Sequence, residues 1–214
     1  MANKRASTPL THKKYYHLIP LIIVVGLIPL ISRVHTYNPK LSEFSWFPPL
    51  TNTVDVFLHY KSTFFVLVSV IMALAIIGKL FLADKRPHTP KLFIPLAVYA
   101  GLALLSSIVS PYSSYSFSGI YEHFESIWVI LGYCITAYYA YLFVQEEEDV
   151  RFLIRWFVVG VALMTVLGLT QAFSKDFFRS DFGQNLLIAD SGLESLNFNF
   201  ALGRVYMSLY NPNY

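Results

Sequence analysis

Three stretches of this 214-residue sequence carry side chains with chemical reach. In the first, "FSWFPPLTNTVDVFLHYK", the titratable residues Asp55, His59 and Lys61 lie close together. They suit surface charge, with the Lys61 stem snorkelling from apolar surroundings to water. The second stretch, "SPYSSYSFSGIYEHFES", has no lysine or arginine and gathers Glu122, His123 and Glu125 at the start of an apolar run. Three apart on a helix, Glu122 and Glu125 would be neighbours. A carboxylate there is ordinary helix-end electrostatics. It is also a group that can bind a sugar hydroxyl or accept its proton. The third stretch is the tail, "SKDFFRSDFGQNLLIADSGLESLNFNFALGRVYMSLYNPNY", where Arg204 follows Gly203. A guanidinium is a permanently charged planar fork that matches phosphate oxygens. At a bilayer surface it can hold a lipid diphosphate, and it equally fits a snorkelling helix end. Asn211, Pro212 and Asn213 then read as a helix start, because asparagine caps helices well and proline suits the first turn.

Whatever chemistry these residues do, the elements that hold them are apolar. Hydrophobic residues make up 55% of the chain and charged ones 14%. Soluble domains carry about 25% charged residues. The mean hydropathy is +0.50. A net charge of +3 without a basic stripe excludes a nucleic-acid footprint. The lone cysteine, Cys134, excludes an internal disulfide and a cysteine-based zinc cluster, and inside an apolar run it reads as a small buried thiol.

A spanning helix needs about 20 mostly apolar residues. Stretches 15–32, 62–82, 92–109, 124–144 and 152–173 qualify, so the chain is expected to be an all-α integral membrane protein of about five transmembrane helices. The first stretch has a basic start but a poor small-residue cleavage site, so it reads as a retained anchor rather than a signal peptide. Lysine and arginine are richer before the first span, between the second and third, and around the start of the fifth. The positive-inside rule then puts the N-terminus in the cytoplasm and the tail outside. The expected organisation is a basic N-terminus (1–14), a five-span bundle (15–173) and an extracytoplasmic tail (174–214) leading towards a sixth helix. Ser69 with Ala73, and Ala97 with Gly101, are small-residue pairs suited to close helix approach. Tyr138, Tyr139 and Tyr141 read as interfacial belt residues.

Soluble nucleotide and hydrolase motifs such as GxxxxGK[ST], HExxH and GxSxG are missing from the sequence. Charged residues are almost absent from the span centres, which argues against a proton-driven transporter.

"GRVYMSLYNPNY" resembles a segment of the bacterial O-antigen ligase and O-antigen polymerase-like proteins, and "SGIYEHFESIWVILGYC" is similar to the same family's stretch around a glutamate. The resemblance covers about the second half of the chain. It implies a multi-span glycosyltransferase that moves a glycan from a polyprenyl diphosphate carrier to a hydroxyl acceptor on the outer face. No metal and no other cofactor is needed. Arg204 matches an arginine on the diphosphate side, and Glu125 matches a glutamate at the fourth span, with Ser126 where a glycine is common. The bilayer and the lipid-linked glycan are the implied partners, and no nucleic acid is. Because the family continues with further spans and an outer loop, the chain is expected to be the N-terminal part of a longer transferase, inactive alone. The alternatives are a small non-catalytic membrane scaffold or accessory subunit, and a fragment of a small-solute transporter.

Overall fold

The computed structural model describes residues 15–42, 44–46, 52–82, 88–120, 122–189, 191–198 and 200–209. The basic segment 1–14 and the Asn211, Pro212, Asn213 motif lie outside the described residues.

The chain is mostly helical. Among the described residues there are five apolar helices: α1 (Tyr16–Leu30), α2 (His59–Leu82), α3 (Phe93–Val109), α5 (Ile127–Phe143) and α6 (Glu147–Ala172). Two of them, α2 and α6, are long and apolar enough to cross a membrane. Two short helices lie between or beyond these, α4 (Ser113–Ser118) and α7 (Asp181–Ile188). The one sheet described is an antiparallel pair, β1 (His35–Tyr37) with β2 (Thr53–Asp55), in the register His35 opposite Asp55.

The five apolar helices run alternately up and down. At one end, the Tyr139 hydroxyl near the close of α5 donates to the His17 carbonyl at 2.7 Å. Tyr15 stacks on Phe152 of α6 at 4.2 Å. The Lys79 ammonium, late in α2, donates to the Leu142 carbonyl and lies 4.4 Å from the Phe143 ring. It thereby satisfies the negative C-terminal end of α5. Tyr138 and Tyr141 bond Thr89 and the His88 carbonyl just before α3. Tyr139 is therefore not a belt residue. It is 2% exposed, because its ring fills the core while its hydroxyl finds a carbonyl.

α1 is not a uniform helix. A 3-10 turn, one α turn, a π turn and a second 3-10 turn follow one another over Tyr16–Leu30. Pro20 and Pro29 each remove an amide donor, and a local change of helix type keeps the carbonyls bonded. The π turn carries Gly26 against α6. A Cβ on Gly160 would lie 2.9 Å from the Gly26 carbonyl oxygen, so the two backbones touch. This glycine pair makes the close helix approach that the sequence reading assigned elsewhere. Of the two expected pairs, Ser69 packs at Gly132 of α5, whereas Gly101 faces open space.

α2 and α5 pack most extensively, and Val68, Met72, Ile76, Tyr139 and Leu142 join Leu18 and Leu21 of α1 in one buried cluster. α3 has no buried residue.

α5 begins at Ile127, later than the sequence suggested. Glu122 and Phe124 both have positive φ, 65° and 53°, which no helix permits. The chain turns there, with Phe124 N–H donating to the Ile120 carbonyl at 3.0 Å, and only Ser126 onward enters the helix. Glu122, His123 and Glu125 therefore share a turn and not a helix face. None is in the first turn of α5.

Candidate functional site

Opposite the Tyr139 end, two loop regions fold into one body. Val34, Phe57, Phe178, Leu187, Leu196 and Tyr206 are its core. The Val34 N–H donates to the Leu187 carbonyl at 3.0 Å, tying the hairpin region to the tail. Segments distant in sequence meet here because both carry apolar residues, which bury one another and pack on Leu167 of α6.

Asp55 organises the hairpin side. Its Oδ2 accepts the N–H groups of Leu58 at 2.9 Å and His59 at 2.8 Å, satisfying two free donors at the start of α2. That cap fixes His59. The register of β1 against β2 brings His35 opposite Asp55, and the two imidazoles stack with centroids 3.5 Å apart and planes 8° from parallel. The Phe124 ring meets His59 edge-on at 5.2 Å and Tyr37 at 5.1 Å. Desolvation lowers the His35 pKa from its ordinary value, partly offset by the Asp55 carboxylate.

This aromatic group walls one side of a cavity of about 870 Å³. Asn38, Lys40 and Ser42 follow from the hairpin, while Ser114, Tyr115 and Ser118 of α4 face them. The Tyr115 hydroxyl donates to the Lys40 carbonyl at 2.9 Å, which joins the two walls. Gly119 closes the rim with φ 85°, and a Cβ there would meet the Phe124 Cα at 2.9 Å. Lys40 itself has φ 56°. Non-glycine residues in this region cost free energy and are held there by their surroundings.

The tail side is organised by Gln171 and Asp176. Gln171, at the end of α6, is 1% exposed. Its Oε1 accepts the N–H groups of Tyr206 at 2.9 Å and Met207 at 2.6 Å, and its Nε2 donates to the Met207 carbonyl at 3.0 Å. The Asp176 carboxylate accepts the Tyr206 hydroxyl at 2.5 Å and lies 3.3 Å from Arg179 Nε. Beyond Met207, buried Ser208 donates to the Pro29 carbonyl of α1, and its own carbonyl accepts from the Lys61 ammonium. Lys61 thus anchors the tail instead of snorkelling. The tail is threaded back between α1, α2 and α6.

Of the residues singled out from sequence, Asp55 and His59 meet, and His35 joins them. Arg204 is exposed, in a turn closed by its N–H on the Ala201 carbonyl at 3.2 Å. Glu125 is exposed beside Phe124. Neither lines the cavity. Among the described residues no group of three or more histidine, cysteine or acidic side chains is arranged to hold a metal.

Sequence reasoning passed over His35, Gln171, Asp176 and Tyr206. A lone amide at the end of an apolar run, "LGLTQAF", was the available signal for Gln171. His35 gave none, since its role depends on strand pairing. No family model, curated protein or solved structure matches the chain.

Proposed function

We propose that this chain contributes five membrane spans, as the N-terminal part, to a protein of surface-polysaccharide assembly that transfers a glycan from a polyprenyl diphosphate to a hydroxyl acceptor. In this reading α1, α2, α3, α5 and α6 each cross the bilayer. The N-terminus is cytoplasmic, and the body built from the hairpin and the tail faces outward. α3 and α5, 17 residues each, rise about 25 Å, at the short end of what spans a membrane, and α1 is shorter still. The unburied apolar sides of α3 and α6, including Leu102, Leu105, Val159 and Val166, suit acyl chains better than water.

The observation that carries the reading is a cavity lined by both hydroxyls and aromatic rings, joined to a folded body at one end of an apolar bundle. Arg204 is exposed on that same body, where a guanidinium can pair with a lipid diphosphate. Glu125 is exposed and follows the cavity-lining Phe124 in sequence.

The test is genetic and chemical. Deleting the gene in its source cell is expected to change the amount or length of surface polysaccharide seen on gels. The intact gene should restore it, and Arg204→Ala should not, at equal protein level. Unchanged polysaccharide on deletion would leave the scaffold reading in its place. Cysteine labelling at position 204 from the cytosolic side alone would remove the topology.

A further inference from the structure

We propose that the cavity between the hairpin, the start of α2 and α4 is an oligosaccharide-binding subsite.

The chemistry of the wall favours such a ligand. Ser42, Ser114, Ser118 and Tyr115 offer hydroxyls, and Asn38 an amide. Among the described residues no carboxylate lines the cavity, and Lys40 is the one ammonium. A single amine is a poor match for a nucleotide's phosphates, and the two stacked imidazoles find no third metal-ligating side chain among the described residues. Tyr115 and Ser118 already donate to the Lys40 and Ser114 carbonyls, and Asn38 Oδ1 accepts the Lys40 N–H, so these groups meet a ligand with their remaining lone pairs and the Asn38 NH2, which a lipid tail cannot use. A polyhydroxylated ligand satisfies them, since each sugar hydroxyl both donates and accepts. A neutral imidazole does the same, one nitrogen donating and the other accepting, and desolvation favours the neutral form of His35.

Shape agrees with polarity. The rings of Tyr37 and Phe124 line the same space. The C–H face of a pyranose packs on the negative face of such rings. About 870 Å³ lies within the usual size of small-ligand sites and admits several sugar units. The wall is also pre-formed. The Asp55 cap, the Tyr115 to Lys40 bond and the Gly119 turn fix it without a ligand. Pre-formed sites avoid the cost of ordering side chains on binding. The subsite rests on the transferase reading only for the supply of glycan at this face, and its binding is measured apart from any transfer.

The test uses the full chain in detergent micelles, titrated with a panel of repeat-unit oligosaccharides of three to six sugars from bacterial surface polysaccharides. Ligand-observed NMR reads binding, and glycerophosphoglycerol serves as the headgroup control. Binding of at least one oligosaccharide is expected, with saturation transfer strongest to ring C–H protons. Phe124→Leu should weaken it about tenfold. Lys40→Gly keeps the left-handed backbone and removes only the side chain, so it tests the wall without threatening the fold. Ser118→Ala does the same on α4. Each should weaken binding several-fold. Absence of binding across the panel overturns the proposal, as does binding unaffected by all three variants. Binding of glycerophosphoglycerol alone overturns it too, in favour of a lipid headgroup. Glycan binding without any effect of gene deletion on surface polysaccharide would keep the subsite and remove the transferase.

Discussion

The side-chain amide of Gln171 holds Tyr206 by its backbone: Oε1 accepts the Tyr206 N–H at 2.9 Å from across 35 residues of sequence. With the Met207 contacts added, one buried amide replaces three hydrogen bonds that water would otherwise make. Gln171→Leu leaves two buried amide donors without partners, at a cost of about 1–3 kcal/mol per group. Segment 200–209 should then exchange amide hydrogens faster and become sensitive to protease, while α2 and α5 keep their protection. Hydrogen exchange with mass spectrometry reads both.

Tyr206 ties tail stability to alkaline pH. Burial raises the Tyr206 pKa above its ordinary value of about 10, and the bond to Asp176 raises it further. The folded state then keeps a proton that the unfolded state gives up, so stability is complete below about pH 10 and is lost as pH rises beyond it. Thermal unfolding of the tail should shift down above pH 10. Tyr206→Phe should flatten that slope, and a persistent slope in that variant would assign it to another group.

The hairpin side has the opposite sign. The His35 pKa lies below its ordinary value because burial disfavours the charged ring; Asp55 opposes this, and the His59 ring lies against it. The folded state therefore resists taking up a proton. Its contribution is present above about pH 6.5 and is lost as pH falls through the lower folded value. Amide exchange at Thr36 and Val54 should quicken in mild acid. His59 is shifted the same way, by its own burial and by His35, so His35→Asn should remove part of that dependence and His35→Asn with His59→Asn most of it.

Asp55 should be separable from His35 by substitution. Asp55→Ala removes the cap from Leu58 and His59, an effect of about 0.5–2 kcal/mol for such caps. Asp55→Asn keeps an acceptor and should lose less. The readout is thermal unfolding in detergent, together with the ring NMR signals of His35 and His59, whose stacking depends on the cap.

Gly160→Ala tests the α1–α6 contact. The added Cβ meets backbone atoms of Gly26, which no rotamer change can move aside. Overpacking of this kind costs about 1–3 kcal/mol. Gly101→Ala is the control, since nothing lies within 4 Å there. A lowered unfolding temperature for Gly160→Ala alone is expected, and equal effects would mean that helix propensity, not contact, sets them.

Much of the architecture was legible as apolar run lengths. Helix formation is local: a long apolar run bonds its own backbone whatever surrounds it. That is why the helices stand near their expected places; Pro20 and Pro29 lie in the irregular α1, whereas Pro95 sits harmlessly in the first turn of the regular α3. The start of α5 was misjudged because positive φ at Glu122 and Phe124 is imposed by the packing of the Phe124 ring on His59 and Tyr37. No propensity of glutamate or phenylalanine announces it.

The site was less legible than the bundle. Asp55 and His59 could be seen as neighbours, four apart. His35 reaches them only through strand pairing, and Gln171 reaches Tyr206 only because the tail folds back. By itself the sequence determined the apolar segments, the scarcity of charge and the residue types available for chemistry, since these follow from composition and local hydrogen bonding. Tertiary structure alone decided which of those residues meet: partners dozens of positions apart are chosen by which apolar surfaces and backbone donors remain unsatisfied once the helices have formed.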